Sequence, residues 1–185
     1  AELCGDLPPD VYLAVNVSSE QLRRGRLQET VLEQLVTSGL SENRLMLEVT
    51  ESVDIEEFAH SKSEKDALRA RGVRWSIDDF GTGFSSLSYL LDLSIDTLKI
   101  DRTFIDAIHT NPRKQGIVKT ILSLGENLSA SCIAEGVETR AQLRCLSQLG
   151  CHRTQGFFLG KPMPALQLKA FLDRHYWSPA RSAVK

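Results

Sequence analysis

The chain has 185 residues, a formal net charge of -2, 42% hydrophobic and 25% charged residues. That is room for one domain with a sizeable core, and it lacks the bulk positive field of a protein that binds nucleic-acid polymers or membrane surfaces. No run of about 18 apolar residues suggests a membrane span, and the opening stretch AELCGDLPPD has no signal-peptide pattern, so no membrane contact is expected from this segment. Cys4, Cys132, Cys145 and Cys151 form no CxxC pair and have no zinc-ligand spacing; they read as thiols in a reducing cytosol, which makes a cytoplasmic location the expectation.

In chain order, short apolar or β-branched runs predict strands at Val11–Val17, Leu45–Thr50, Val73–Asp79, Thr97–Asp101, Ser131–Val137 and Thr154–Leu159. Each is nearly continuous in hydrophobicity, as in a parallel sheet covered on both faces. Helical patterns fall between them. Leu27–Ser38 carries Val31, Leu32, Leu35 and Val36 on one stripe and meets Gly39 as a C-terminal cap; Phe58–Ala70 runs to Gly72. Ile117, Val118, Ile121, Leu122 and Leu124 line a further helix, and Leu143, Leu146 and Leu149 the next. Pro162 and Pro164 lead into a last helix with Leu166, Leu168 and Leu172. The domain is expected over residues 1–177, with a polar tail over 178–185. Six βα units in a row suit either a doubly wound open sheet or a (β/α)8 barrel.

The polar residues decide between them. Asn16, Glu48, the pair Asp78 and Asp79, Lys99, Glu135 and Gln155 place a polar or ionisable group on every predicted strand, mostly at its C-terminal end. A barrel builds its site from those ends, whereas an open sheet concentrates it at one switch point, so a barrel is favoured. Asn16, Glu48, Asp78 and Asp79 are hard oxygen donors suited to Mg²⁺ or Mn²⁺, and clustered carboxylates need a cation to offset their repulsion. Lys99 would add positive charge near a phosphate, and Glu135 could accept a proton from water. Taken alone, Glu51 and Asp54 read as solvated loop residues, and Ser18 and Ser19 as cap chemistry. Lys99 lies between Leu98 and Ile100, where an ammonium is costly to bury unpaired unless its stem reaches solvent.

Six segments together resemble the EAL domain family. They are Asn16–Ser18 with Gln21-Leu22 (NxSxxQL), Glu48–Ser52 (ExTES), Asp78–Leu87 (DDFGTGFSSL), Leu98–Phe104 (LKIDRTF), Ala134–Thr139 (AEGVET), and Gln155–Phe157 with Lys161-Pro162. The resemblance runs from about Val11 to about Leu172. It implies a TIM-like α/β barrel that hydrolyses cyclic-di-GMP to linear pGpG with two Mg²⁺ or Mn²⁺ ions in bacterial signalling. It implies metal ligands at Asn16, Glu48, Asp78 and Asp79, and handling of the catalytic water by Lys99 and Glu135. Gln155 and Glu138 would be further site residues, and Glu51 would hold the loop after the DDFGTG strand. It also implies a homodimer and, in a parent protein, fused upstream sensory or GGDEF domains.

One departure is plain: the EAL tripeptide that names the family, whose glutamate is a metal ligand, does not occur in the chain. About six of eight strands are therefore expected here, in a truncated domain that is inactive alone and self-associates through uncovered edges. The alternative reading is a catalytically inactive cyclic-di-GMP receptor or a regulatory, dimerising module.

Overall fold

The computed structural model describes residues 11–51, 62–83 and 94–175. Five strands, β1 (Leu13–Asn16), β2 (Leu45–Thr50), β3 (Arg74–Phe80), β4 (Thr97–Ile100) and β5 (Ser131–Ala134), form one sheet in the order β1-β2-β3-β4-β5. Every neighbouring pair is parallel. Each crossover thus moves the chain one strand along in the same direction. A doubly wound sheet must reverse that direction once, so the unbroken order belongs to the barrel alternative. Among the described residues the strands make an arc rather than a closed ring, and β1 pairs only with β2.

The helices are α1 (Ser19–Arg23), α2 (Leu27–Ser38), α3 (Lys62–Ala70), α4 (Arg102–Ile105), α5 (Pro112–Asn127), α6 (Arg140–Gln148) and α7 (Ala165–His175). Local signals fix several ends. Ser18 and Gln21 close a reciprocal capping box on α1, as Thr139 and Gln142 do on α6. The Asn111 side chain accepts from the Arg113 and Lys114 amides with Pro112 in the first turn of α5, and left-handed Gly39 ends α2. The first part of the helix expected over Phe58–Ala70, the far end of the Asp78–Leu87 segment and the 178–185 tail lie outside the described residues.

Outward-facing side chains of the central strands pack under these helices. Leu47, Trp75, Leu98 and Ile100 are almost fully buried, each contributing about 1.5–3 kcal/mol by leaving water. The faces the helices bury are narrower than their apolar stripes. Val36, Ile117 and Leu166 belong to these apolar stripes yet are exposed. β1 departs from the two-sided coverage expected of it: Leu13 and Val15 are 40% and 41% exposed beside a groove of about 370 Å³ between β1 and α2.

The sixth expected strand, Thr154–Leu159, does not form. The chain makes one parallel bridge, Ala134 with Thr154, and then turns, with the Leu159 and Gly160 amides donating back to the Gly156 carbonyl. Gly156 lies directly on the backbone of Val137, so closely that a Cβ there would overlap the Val137 amide. That contact, with the Phe158 amide bonded to the Val137 carbonyl, bends the segment away from an extended course.

A second close approach ties α5 to β5. A Cβ at Gly125 would overlap Cys132 Sγ and come within 3.1 Å of the Ala130 carbonyl oxygen. Burial pushes the Cys132 thiol up to about 11, so it is a neutral packing group at pH 7. Gly125→Ala should therefore lower stability by about 1–3 kcal/mol despite its better helix propensity. The double variant Gly125→Ala/Cys132→Ala should recover part of that loss. Denaturant unfolding checks both, and an unchanged midpoint for Gly125→Ala would refute the packing argument.

Candidate metal centre

Strand alternation sets the inner face. Leu98 and Ile100 are fully buried in the outer core, which forces Lys99 between them to the opposite face; Leu47 and Val49 do the same for Glu48. Lys99 is 5% exposed, so its stem does not reach solvent. Its Nζ lies 2.9 Å from Glu48 Oε2, 3.1 Å from Asp78 Oδ1 and 2.8 Å from Glu135 Oε1. Four strand ends are thereby joined through one ammonium. Burial opposes the charge on Lys99, but the hydrogen bonds it donates to Glu135 and Glu48 and the charges of Glu135 and Asp78 outweigh it and raise its pKa. Burial likewise raises Glu135, against the pull of Lys99.

Asp78 and Asp79 are adjacent, so plain alternation would send them to opposite faces. The structure prevents this with a bulge. Between the pairs Ile77–Leu98 and Phe80–Ile100, β3 spends three steps where β4 spends two. Asp79 takes up the extra residue with φ 54°, in the left-handed region. As a result Asp78, Asp79 and Glu135 each bring a carboxylate oxygen within 4.8 Å of one another. The Asp79 amide also donates to Asp78 Oδ1 at 3.0 Å. Burial, the Asp78 charge and the Asp101 charge raise the Asp79 pKa. Asp101, which caps α4 by accepting from the Thr103 amide at 2.9 Å, is held below its usual range: hydrogen bonds outweigh its burial.

Glu51, immediately beyond β2, accepts at Oε2 from the Gly81 amide at 2.8 Å and the Gly83 amide at 2.9 Å. It holds the backbone that follows the two aspartates. The other expected site residues stand on neighbouring segments. Asn16 is exposed at the end of β1, level in register with Glu48. Gln155 is exposed, and its amide donates to the Ala134 carbonyl at 2.8 Å. Glu138 is exposed, and its amide donates to Gln142 Oε1 at 2.8 Å. Sequence reasoning passed over two buried groups of the inner face. Asp101 lies two residues after Lys99, and Ser76 two before Asp78, its hydroxyl fully buried and without a hydrogen-bond partner. The i, i+2 spacing along a strand was the available signal for both.

Four carboxylates (Glu48, Asp78, Asp79, Glu135) against one ammonium leave the cluster formally three charges negative. Such an all-oxygen set fits a hard divalent ion such as Mg²⁺ or Mn²⁺, and Asp78, Asp79 and Glu135 bring carboxylate oxygens close enough together to meet one.

A singly wound parallel sheet with helices on its outer face and an acidic cluster at the C-terminal strand ends defines a TIM-like α/β protein with a cation-type site. Comparison with known proteins narrows the class. Residues 1–162 match the model of the EAL domain, and the chain belongs to that family. It is 45% identical over 161 residues to the bifunctional diguanylate cyclase/cyclic di-GMP phosphodiesterase MucR of Pseudomonas aeruginosa, covering 87% of this chain and 24% of MucR. A solved structure of the MucR phosphodiesterase in complex with c-di-GMP superposes with a TM-score of 0.78 at 45% identity, over 85% of this chain and 64% of that one. A manganese/c-di-GMP complex of Klebsiella pneumoniae BlrP1 superposes with a TM-score of 0.76 at 34% identity, over 84% of this chain and 40% of that one. The chain spans about a quarter or less of the length of the curated relatives it matches. Among the described residues no helix is long and apolar enough to cross a membrane.

The two hydrogen bonds that Glu51 accepts give a direct test of the loop. In Glu51→Ala, amide exchange at Gly81 and Gly83 should be about tenfold faster or more, about 1.4 kcal/mol of lost protection. Glu51→Gln, which keeps an acceptor oxygen, should change it less. Equal exchange in the wild type and Glu51→Ala would show that the loop is held by something else.

Proposed function

We propose that this protein is a divalent-metal-dependent phosphodiesterase that hydrolyses cyclic-di-GMP to linear pGpG. The observation that carries the reading is the meeting of Asp78, Asp79 and Glu135 around a buried Lys99 at the strand ends. The MucR phosphodiesterase complexed with c-di-GMP, 45% identical, supports the substrate. In this reading Glu48, Asp78, Asp79 and Asn16 would hold two Mg²⁺ or Mn²⁺ ions, which when bound supply charge neutralisation at the phosphate and activation of water. The manganese complex of BlrP1 supports that choice of metal.

The chain's own groups do the rest. Water adds to phosphorus as one phosphodiester P–O bond breaks. Glu135, whose pKa burial raises, takes the water's proton and returns it to the leaving oxygen. Lys99 fixes the Glu135 and Asp78 carboxylates so that neither has to reorient during the reaction. Glu51 keeps the loop at Gly81–Gly83 closed onto the site. Gln155 and Glu138, on the segments flanking Glu135, would meet the substrate. Association of two copies is part of the reading.

Incubation with cyclic-di-GMP and Mn²⁺ followed by chromatography tests the activity. With a form of the domain that includes an EAL tripeptide, absent from these 185 residues, pGpG should accumulate, excess chelator should abolish it, and Glu135→Gln should slow it by about 10²–10⁴-fold. Binding of cyclic-di-GMP with no pGpG would favour a receptor, and turnover in chelator would sink the metal-dependent mechanism.

A further inference from the structure

Lys99 and the ion cluster draw on the same groups. Two of the three residues gathered as potential ion ligands, Asp78 and Glu135, are also two of the three carboxylates bound to the Lys99 ammonium. All four side chains of the Lys99 group are buried or nearly so: 6% exposed for Lys99, 9% for Glu48, 15% for Asp78 and 16% for Glu135. Little water is present to screen one charge from another there.

We propose that Lys99 is a tethered counter-cation that opposes divalent-ion binding: it neutralises and fastens the carboxylates by itself, and an ion must bind against its charge. This rests on the reading of the cluster as a divalent-ion site. Two effects of Lys99 on an ion compete. By fixing Asp78 Oδ1 and Glu135 Oε1 it preorders those side chains, a gain on the scale of a hydrogen bond or two. By placing a positive charge on two of the ion's own candidate ligands it repels the ion, and with Lys99, Asp78 and Glu135 largely withdrawn from water, though Asp79 is exposed, the Coulomb effect is the larger. Affinity is thus held down, and in exchange the strand ends stay fastened at any ion concentration. The carboxylates on β2, β3 and the segment after β5 would otherwise repel one another across the arc.

The test uses the 185-residue chain, with Mn²⁺ as the probe and two readouts independent of turnover: calorimetric Mn²⁺ affinity, and melting temperature in chelator and in Mn²⁺. Lys99→Met keeps the stem and removes the charge. It should bind Mn²⁺ at least tenfold more tightly than the wild type. It should melt about 6 °C or more lower in chelator, because buried carboxylates lose their counter-charge. Its gain in melting temperature on adding Mn²⁺ should exceed that of the wild type. Lys99→Arg, which keeps the charge, should stay near the wild-type affinity. Should Lys99→Met fail to fold in chelator, recovery in Mn²⁺ supports the proposal. Should it fold in neither, Lys99→Met/Glu48→Gln takes its place, read against Glu48→Gln alone. Mn²⁺ affinity equal to or weaker than the wild type's in the charge-removed variant overturns the proposal, as does absence of Mn²⁺ binding in both. Hydrolysis is not measured, so failure of the phosphodiesterase reading would leave these results interpretable on their own.

Discussion

A single ammonium, Lys99 Nζ, sits within 3.1 Å of carboxylates from three other chain segments. Its partner Glu48 is 51 residues away in sequence, and the pair reaches across the whole of β3. This interaction requires parallel strands in consecutive order, because only then do four C-terminal ends lie side by side. It also requires strict alternation along β2 and β4, so that Glu48 and Lys99 face inward while Leu47, Val49, Leu98 and Ile100 fill the outer core. The core and the site are thus two faces of the same strands. Unpaired, any of these buried charges would cost several kcal/mol, so the group is stable only as a set.

The loop anchored by Glu51 extends the same logic outward. β2 supplies Glu48 to the inner cluster and, three residues on, Glu51 to the amides beyond β3. One strand end therefore holds both the charge network and the backbone that follows the aspartate pair. Asp101 does comparable double service after β4, capping α4 while its carboxyl meets Asp79.

Much of this was legible in the sequence, and the reasons are physical. Apolar runs gave β2 to the residue, since Leu45–Thr50 is buried on both faces and has no competing period. Lys99 stood out because an ammonium between Leu98 and Ile100 must find partners or solvent, and it found partners. The order of the strands, read from polar residues at their ends, pointed to one direction of winding. Other features depend on contacts that no local pattern records. Leu166 and Ile117 fit a helical stripe but miss the sheet, because periodicity fixes a face and not the line of contact. The Thr154–Leu159 run has strand composition, yet the approach of Gly156 to Val137 turns it aside.

The extra residue in β3 has a consequence for which sequences this site tolerates. Two neighbouring carboxylates face one cluster only because Asp79 occupies the left-handed region at φ 54°. Among L residues with a side chain, aspartate and asparagine enter that region most readily, and the longer glutamate does so less easily. Position 79 is therefore constrained twice, once by charge and once by backbone shape, and the two filters pass different neighbours. Asparagine satisfies the shape and loses the charge; glutamate keeps the charge and strains the shape. Either replacement gives up one of the two, whereas at position 78, which is not among the residues of positive φ, only the chemistry restrains it.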